Sequence, residues 1–146
     1  MSKAEINDKR ILAIDYGLKR IGLAVCDEFH ITTRPITTLQ NDEKKLLKLA
    51  EIIKSERIGA VVLGVPVRAD SKNDVFIAEI KNFGKKISEM FNLQCFYFDE
   101  FLSSRRAMAS MIENGKGRRK RGKKGETDKV AAAIILRDFL NEKEYE

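Results

Sequence analysis

The sequence predicts an α/β fold: a mixed five-stranded sheet, with three strands in an antiparallel meander and two added in parallel, flanked by helices. Three short runs rich in apolar and β-branched residues come first, at 10–15, about 20–27 and 31–39, separated only by turns. Two continuous apolar runs follow, at 60–66 and 94–100, each preceded by a stretch of helical periodicity. Strands joined by turns pair antiparallel, whereas strands joined through helices return parallel. The order βββ-α-β-α-β-α-α therefore sets strands one, four and five side by side with their carboxyl ends on one rim.

Each element has a local cause. Ile11-Leu-Ala-Ile leads into Asp15, and Tyr16 to Lys19 form a turn before Ile21 to Val25. Gly17 and Gly22 supply either positive φ or close backbone approach at the turn and its exit. Pro35 marks the third strand as an edge. Asn41 or Asp42 is positioned to cap a helix reaching about Glu56, whose apolar face is Leu46, Leu47, Leu49, Ala50, Ile52 and Ile53. A second helix runs from Asn73 or Asp74 to Phe91, with Phe76, Ile77, Ile80, Phe83, Ile87 and Met90 inward. The runs ending at Pro66 and Glu100 read as strands buried on both faces. A third helix is expected from about Leu102 or Ser103 to Glu113, and a fourth from Asp128 to Asn141, capped by Thr127.

At 146 residues the chain reads as one domain, spanning 1–146. Its apolar content of 43% and charged content of 34% are those of a soluble globular protein. The N-terminus holds no signal-like or membrane-spanning run, so the expected compartment is the cytoplasm. Cys26 and Cys95 sit in strand-like apolar runs without CxxC spacing and read as core residues. The single histidine, His30, leaves little for a nucleophilic triad.

The net charge of +6 is unevenly spread. Residues 115–129 hold eight basic residues (Lys116, Arg118, Arg119, Lys120, Arg121, Lys123, Lys124 and Lys129) against Glu126 and Asp128, and so carry the entire excess. The basic loop, 115–125, reads either as a solvated, self-repelling segment or as the footprint of a polyanion binder.

Three acids fall where they can meet. Asp15 ends the first strand, Glu100 ends the last, and Asp128 opens the final helix, which if packed across that sheet face would bring it into the same pocket. Taken singly, each has a plain structural explanation: Asp-x-Gly is ordinary turn chemistry, Asp99-Glu100 is a polar strand exit, and Asp128 favours the helix macrodipole. Taken together, beside a basic loop, they form an oxygen-donor site suited to Mg²⁺ or Mn²⁺, as a pair of ions in phosphodiester hydrolysis. Side chains alternate along a strand, so Asp99 and Glu100 face opposite ways and Glu100 is the better candidate. Lys19 and Arg20, directly after Asp15, and Lys116, Arg118, Arg119, Lys120, Arg121, Lys123 and Lys124 are candidate phosphate contacts.

These motifs resemble the YqgF/RuvX family, Holliday-junction-resolvase-like members of the ribonuclease H-like superfamily. The resemblance rests on Asp15-Tyr-Gly17-Leu-Lys19-Arg20-Ile21-Gly22-Leu-Ala24, Gly64-Val-Pro66, Asp99-Glu100 followed by Ser103-Ser104, and Lys124-Gly-Glu-Thr-Asp128 running into Ala131-Ala132. It implies the ribonuclease H-like fold and a metal-dependent nuclease with Asp15, Glu100 and Asp128 as its acidic triad. It also implies a role in maturing the 5′ end of pre-16S ribosomal RNA. Two departures stand out. Phe101 occupies a position where the family usually carries Arg, with Ser103-Ser104 for two threonines, and Arg68-Ala-Asp70-Ser71 lacks the glycine common after Pro66.

Three functions compete on this reading: a nuclease on structured RNA, a resolvase of four-way DNA junctions working as a two-fold dimer, and a non-catalytic nucleic-acid-binding module. A pure binder gains nothing from three clustered acids that repel phosphate, which disfavours the third. Sugar-kinase-type ATPases share the Asp-x-Gly turn but close two such domains over a nucleotide, and this chain has the length of one.

Overall fold

The computed structural model describes residues 8–66, 74–99 and 124–144. Its strands are β1 (Arg10–Tyr16), β2 (Arg20–Cys26), β3 (Thr33–Gln40), β4 (Ile58–Val65) and β5 (Gln94–Asp99). Its helices are α1 (Lys45–Ser55), α2 (Asp74–Phe91) and α3 (Lys124–Glu144). The helix expected at about 102–113 lies outside the described residues.

The sheet order is β3-β2-β1-β4-β5. β1 pairs antiparallel with β2, and β2 with β3, while β4 runs parallel to both β1 and β5. This is the meander-plus-two-parallel arrangement that the sequence predicts. Pro35 sits on edge strand β3 opposite Ala24, beside a register shift between Leu23 and Ala24, where a missing N–H is tolerated.

Alternation along the strands sorts the core into two faces. Leu12, Ile14 and Tyr16 of β1 join Leu49 of α1 and Ile80, Phe83 and Ile87 of α2. Ile11 and Ala13, with Ala24, Ala60 and Val62, join Ala132, Ile135, Leu136, Phe139 and Leu140 of α3. The second face is paved with small residues, so α3 lies close against it. Both cysteines are free thiols, and burial pushes each up to about 11.

Several local expectations are corrected by packing. Strand β3 starts at Thr33, not Ile31, because the Asp27 carboxylate accepts the Ile31 N–H at 2.8 Å and the Thr32 hydroxyl at 3.3 Å, holding both in a turn. Leu47 of α1 and Met90 of α2 are exposed; the sheet-facing stripes are too narrow to include them, and Phe91 packs inward in place of Met90. β5 is an edge strand only partly buried, with Gln94 and Tyr97 exposed.

Helix α1 has Lys44 at its N-cap with no side-chain cap. Asp42 instead accepts the Lys44 N–H at 2.9 Å, and Asn41 is engaged elsewhere. Helix α3 begins at Lys124, a turn before the expected start, so Thr127 lies within the helix rather than capping it. Capping preference is a local signal, and packing of this helix end onto the sheet outweighs it.

At the far end of the sheet, Glu56 Oε1 accepts from both Arg10 and Arg34 at 2.8 Å. That carboxylate ties the end of α1 to β1 and β3.

Candidate active site

The carboxyl ends of β1, β4 and β5 form one rim, and the β1–β2 turn rises from it. Asp15, the penultimate residue of β1, is 8% exposed and is the only buried charged residue among the described residues. It alternates with Ile14 and Tyr16 and so shares the α3 face of Ile11 and Ala13. Across the hairpin its register partner is Gly22.

Gly22 explains how the second acid arrives. A Cβ at this position would collide with the backbone carbonyl of Asp128 and lie 2.9 Å from the Lys129 nitrogen. No described glycine has positive φ, so close approach is the reason for glycine here. The backbone of α3 thus rests on the residue paired with Asp15, and Asp15 and Asp128 occupy neighbouring positions on one face.

Arg20, two residues before Gly22 on the same face, closes the group. Its Nε donates to Asp128 Oδ2 at 2.8 Å, with about a third or less of either side chain exposed. The guanidinium thus sets a positive charge on the acid that neighbours Asp15. Arg20, expected as a phosphate contact, is here engaged with an acid of the same site.

The turn itself is held rigid. Gly17 N–H donates to the Arg20 carbonyl at 2.9 Å. Asn41 donates twice, from its backbone N–H to the Lys19 carbonyl at 2.9 Å and from Nδ2 to the Gly17 carbonyl at 2.8 Å. The Tyr16 hydroxyl bonds to Asn41 and Glu79; burial raises its pKa, the Asn41 bond lowers it, and the Glu79 carboxylate raises it again. Tyr16 is clamped by Phe83 and Phe76, with ring centroids at 5.1 and 6.1 Å. Lys19 and Leu18 are presented outward from this braced turn, both exposed.

Asn41 and Tyr16 were not among the candidate residues. The signal available for Asn41 was an amide immediately after a strand that ends beside a glycine turn, but it reads equally as a helix cap.

Asp99 is the register partner of Val65. Phe96 and Phe98 face α3, whereas Tyr97 bonds to Lys81 of α2; alternation sends Asp99 to that second face, away from Asp15. Glu100 lies outside the described residues, as do Lys116, Arg118, Arg119, Lys120, Arg121 and Lys123. Lys124 opens α3, and its side chain is likewise outside the description.

Among the described residues no group of three or more His, Cys, Asp or Glu is gathered as a metal site. The hard carboxylate oxygens of Asp15 and Asp128 would suit Mg²⁺ or Mn²⁺ rather than a softer metal. Among the described residues no helix is long and apolar enough to cross a membrane.

Solved structures share this architecture. Thermus thermophilus RuvC in complex with a Holliday junction substrate superposes with a TM-score of 0.60 at 14% identity, covering 93% of this chain and 96% of that one. The fowlpox virus Holliday junction resolvase gives 0.52 at 17% identity, covering 93% and 98%. The fold is thus ribonuclease H-like. A family model described as "RuvX: Holliday junction resolvase" matches residues 9–142, and the chain belongs to this family of phosphodiester-cleaving enzymes. Curated relatives carry the name "Putative pre-16S rRNA nuclease". One from Christiangramia forsetii is 41% identical over 138 residues, covering 91% of this chain and 98% of the relative. One from Amoebophilus asiaticus is 39% identical over 133 residues, covering 90% and 94%.

Proposed function

We propose that this chain matures the 5′ end of pre-16S ribosomal RNA in the cytoplasm, as a divalent-metal-dependent nuclease with Asp15, Asp128 and Glu100 as its acids. The observation that carries the reading is the meeting of Asp15 and Asp128 on one sheet face across Gly22. Folding alone does not call for two acids at a rim where one is nearly buried; a cation-binding role does. The names carried by relatives around 40% identical favour the ribosomal RNA precursor over other nucleic acids.

In this mechanism Asp15 and Asp128, together with Glu100, would hold Mg²⁺ or Mn²⁺ as one pair of ions. Bound there, the metal would supply charge neutralisation at the scissile phosphate and a lowered pKa for the attacking water. The chain's own residues do the rest. Burial of Asp15 fixes its carboxylate against the strand end, and the braced turn fixes Lys19 for a backbone phosphate. Lys116 to Lys124 extend the phosphate track, giving binding that reads shape more than sequence. The enzyme works as a monomer or homodimer on RNA; a homodimer is required if the substrate is a four-way DNA junction.

The test is side-by-side cleavage, with Mn²⁺ or Mg²⁺, of a labelled 5′-extended 16S precursor fragment and a mobile four-way DNA junction. Asp15→Asn serves as the control for contaminating nucleases. Cleavage of the RNA alone, abolished in the variant, is the expected result. Paired symmetric nicks in the junction would favour the resolvase reading. Binding of both without cleavage of either would leave a non-catalytic binding module.

A further inference from the structure

We infer that Arg20 is the resident counter-ion of the acidic site, competing with the divalent cation for Asp128, so that metal loading releases it toward the phosphate backbone. The inference rests on the metal-binding reading of Asp15 and Asp128 given above. It begins from the 2.8 Å bond between Arg20 Nε and Asp128 Oδ2, made by two side chains that are each partly buried. Arginine stays charged at every working pH, and a carboxylate taken out of water needs a partner. The protein therefore carries its own positive charge where two acids converge.

The placement is specific. Arg20 leaves the braced turn on the α3 face, and Gly22, two residues on, seats the Asp128 backbone. Gly17 N–H and the Asn41 contacts hold that turn in place. The guanidinium supplies one positive charge to the pair, whereas a divalent cation supplies two. Both in a partly buried site repel each other, so the stronger occupant displaces the weaker from Asp128. The displaced guanidinium stays on the rim beside Lys19, where the nearest remaining anion is a substrate phosphate. Arg20 is thus a positioning residue that exchanges an internal carboxylate for the nucleic acid once metal is bound.

The experiment is calorimetric titration of Mn²⁺ into the full chain for wild type, Arg20→Lys and Arg20→Gln, with folding checked by circular dichroism. Competition predicts that Arg20→Gln binds Mn²⁺ about tenfold tighter than wild type, with Arg20→Lys between them. A merely structural arginine would leave the affinity unchanged or weaken it, and either result overturns the inference. If neither wild type nor Arg20→Gln binds Mn²⁺, the metal-site reading falls and the inference with it. If only Arg20→Gln binds, the inference stands in its strongest form. A second readout uses wild type alone: the Arg20 Nε–H resonance should shift on adding Mg²⁺. A resonance that stays in place while Mg²⁺ binds overturns the inference even if Arg20→Gln does not fold.

Discussion

The backbone carbonyl of Asp128 occupies the space that a side chain on Gly22 would fill. A glycine in the DxG-type hairpin and an aspartate at the start of the last helix are thus one structural unit. Gly22→Ala forces α3 off the sheet or distorts β2, and overpacking of this kind costs about 1–3 kcal/mol. Urea denaturation should show a lower midpoint. Cleavage should fall further than stability alone explains, because Asp128 moves with the helix.

Removing the buried carboxylate should abolish the chemistry without unfolding the chain. Asp15→Asn is close to isosteric, and cleavage should fall by about 10³-fold, or roughly 4 kcal/mol of barrier. The measurement is single-turnover cleavage at saturating Mn²⁺, with circular dichroism as the folding control.

Asn41→Ala should act on substrate binding more than on the chemical step. It deletes the Nδ2 bond to the Gly17 carbonyl and the contact with the Tyr16 hydroxyl, but keeps the backbone bond to Lys19. The loss of buried hydrogen bonds costs about 1–2 kcal/mol. A loosened turn presents Lys19 less well, so KM should rise with kcat nearly unchanged in steady-state assays. A fall in kcat at constant KM would contradict this role.

The two thiols give a pH dependence with a definite sign. Cys26 and Cys95 are raised from an ordinary 9.0 to about 11 by burial. Below pH 9 both are neutral, folded or unfolded, and their contribution is intact. Between pH 9 and about 11 the unfolded chain loses these protons first, so stability falls as pH rises. Chemical denaturation at pH 8 and pH 10.5 should show the drop, and Cys26→Ser with Cys95→Ser should reduce it.

If the segment from Lys116 to Lys124 tracks the backbone, binding should weaken steeply with salt. For a duplex substrate, each phosphate neutralised adds about 0.9 to the slope of log K against log salt. Replacing Arg118, Arg119, Lys120 and Arg121 by glutamine should lower that slope by up to about 3.6. Fluorescence anisotropy across a salt series provides the measurement, and an unchanged slope would remove the loop from the interface.

Much of this arrangement was legible in the sequence because it depends on period and order. The alternation of Ile11, Ala13 and Asp15 against Leu12, Ile14 and Tyr16 fixes which face Asp15 takes. The same reasoning separates Asp99 from that face. Features set by three-dimensional contact were not legible. Arg20 and Asp128 stand 108 residues apart, and nothing local tells a phosphate-binding arginine from one already paired. Asn41 has the composition of a helix cap and the position of a turn brace, a choice decided only by where Gly17 ends up. Leu47 and Met90 fit the helical period but lie at the margins of stripes whose width is set by the sheet.

The face that α3 covers has a consequence for synthesis. Asp15 leaves the ribosome early, whereas Asp128 and the apolar side of α3 emerge after every other described element. A nascent or prematurely ended chain lacking α3 has Ala13, Ala24, Ala60 and Val62 uncovered and only part of its acid set. Such a fragment leaves an apolar sheet face open to association until the last helix closes over it.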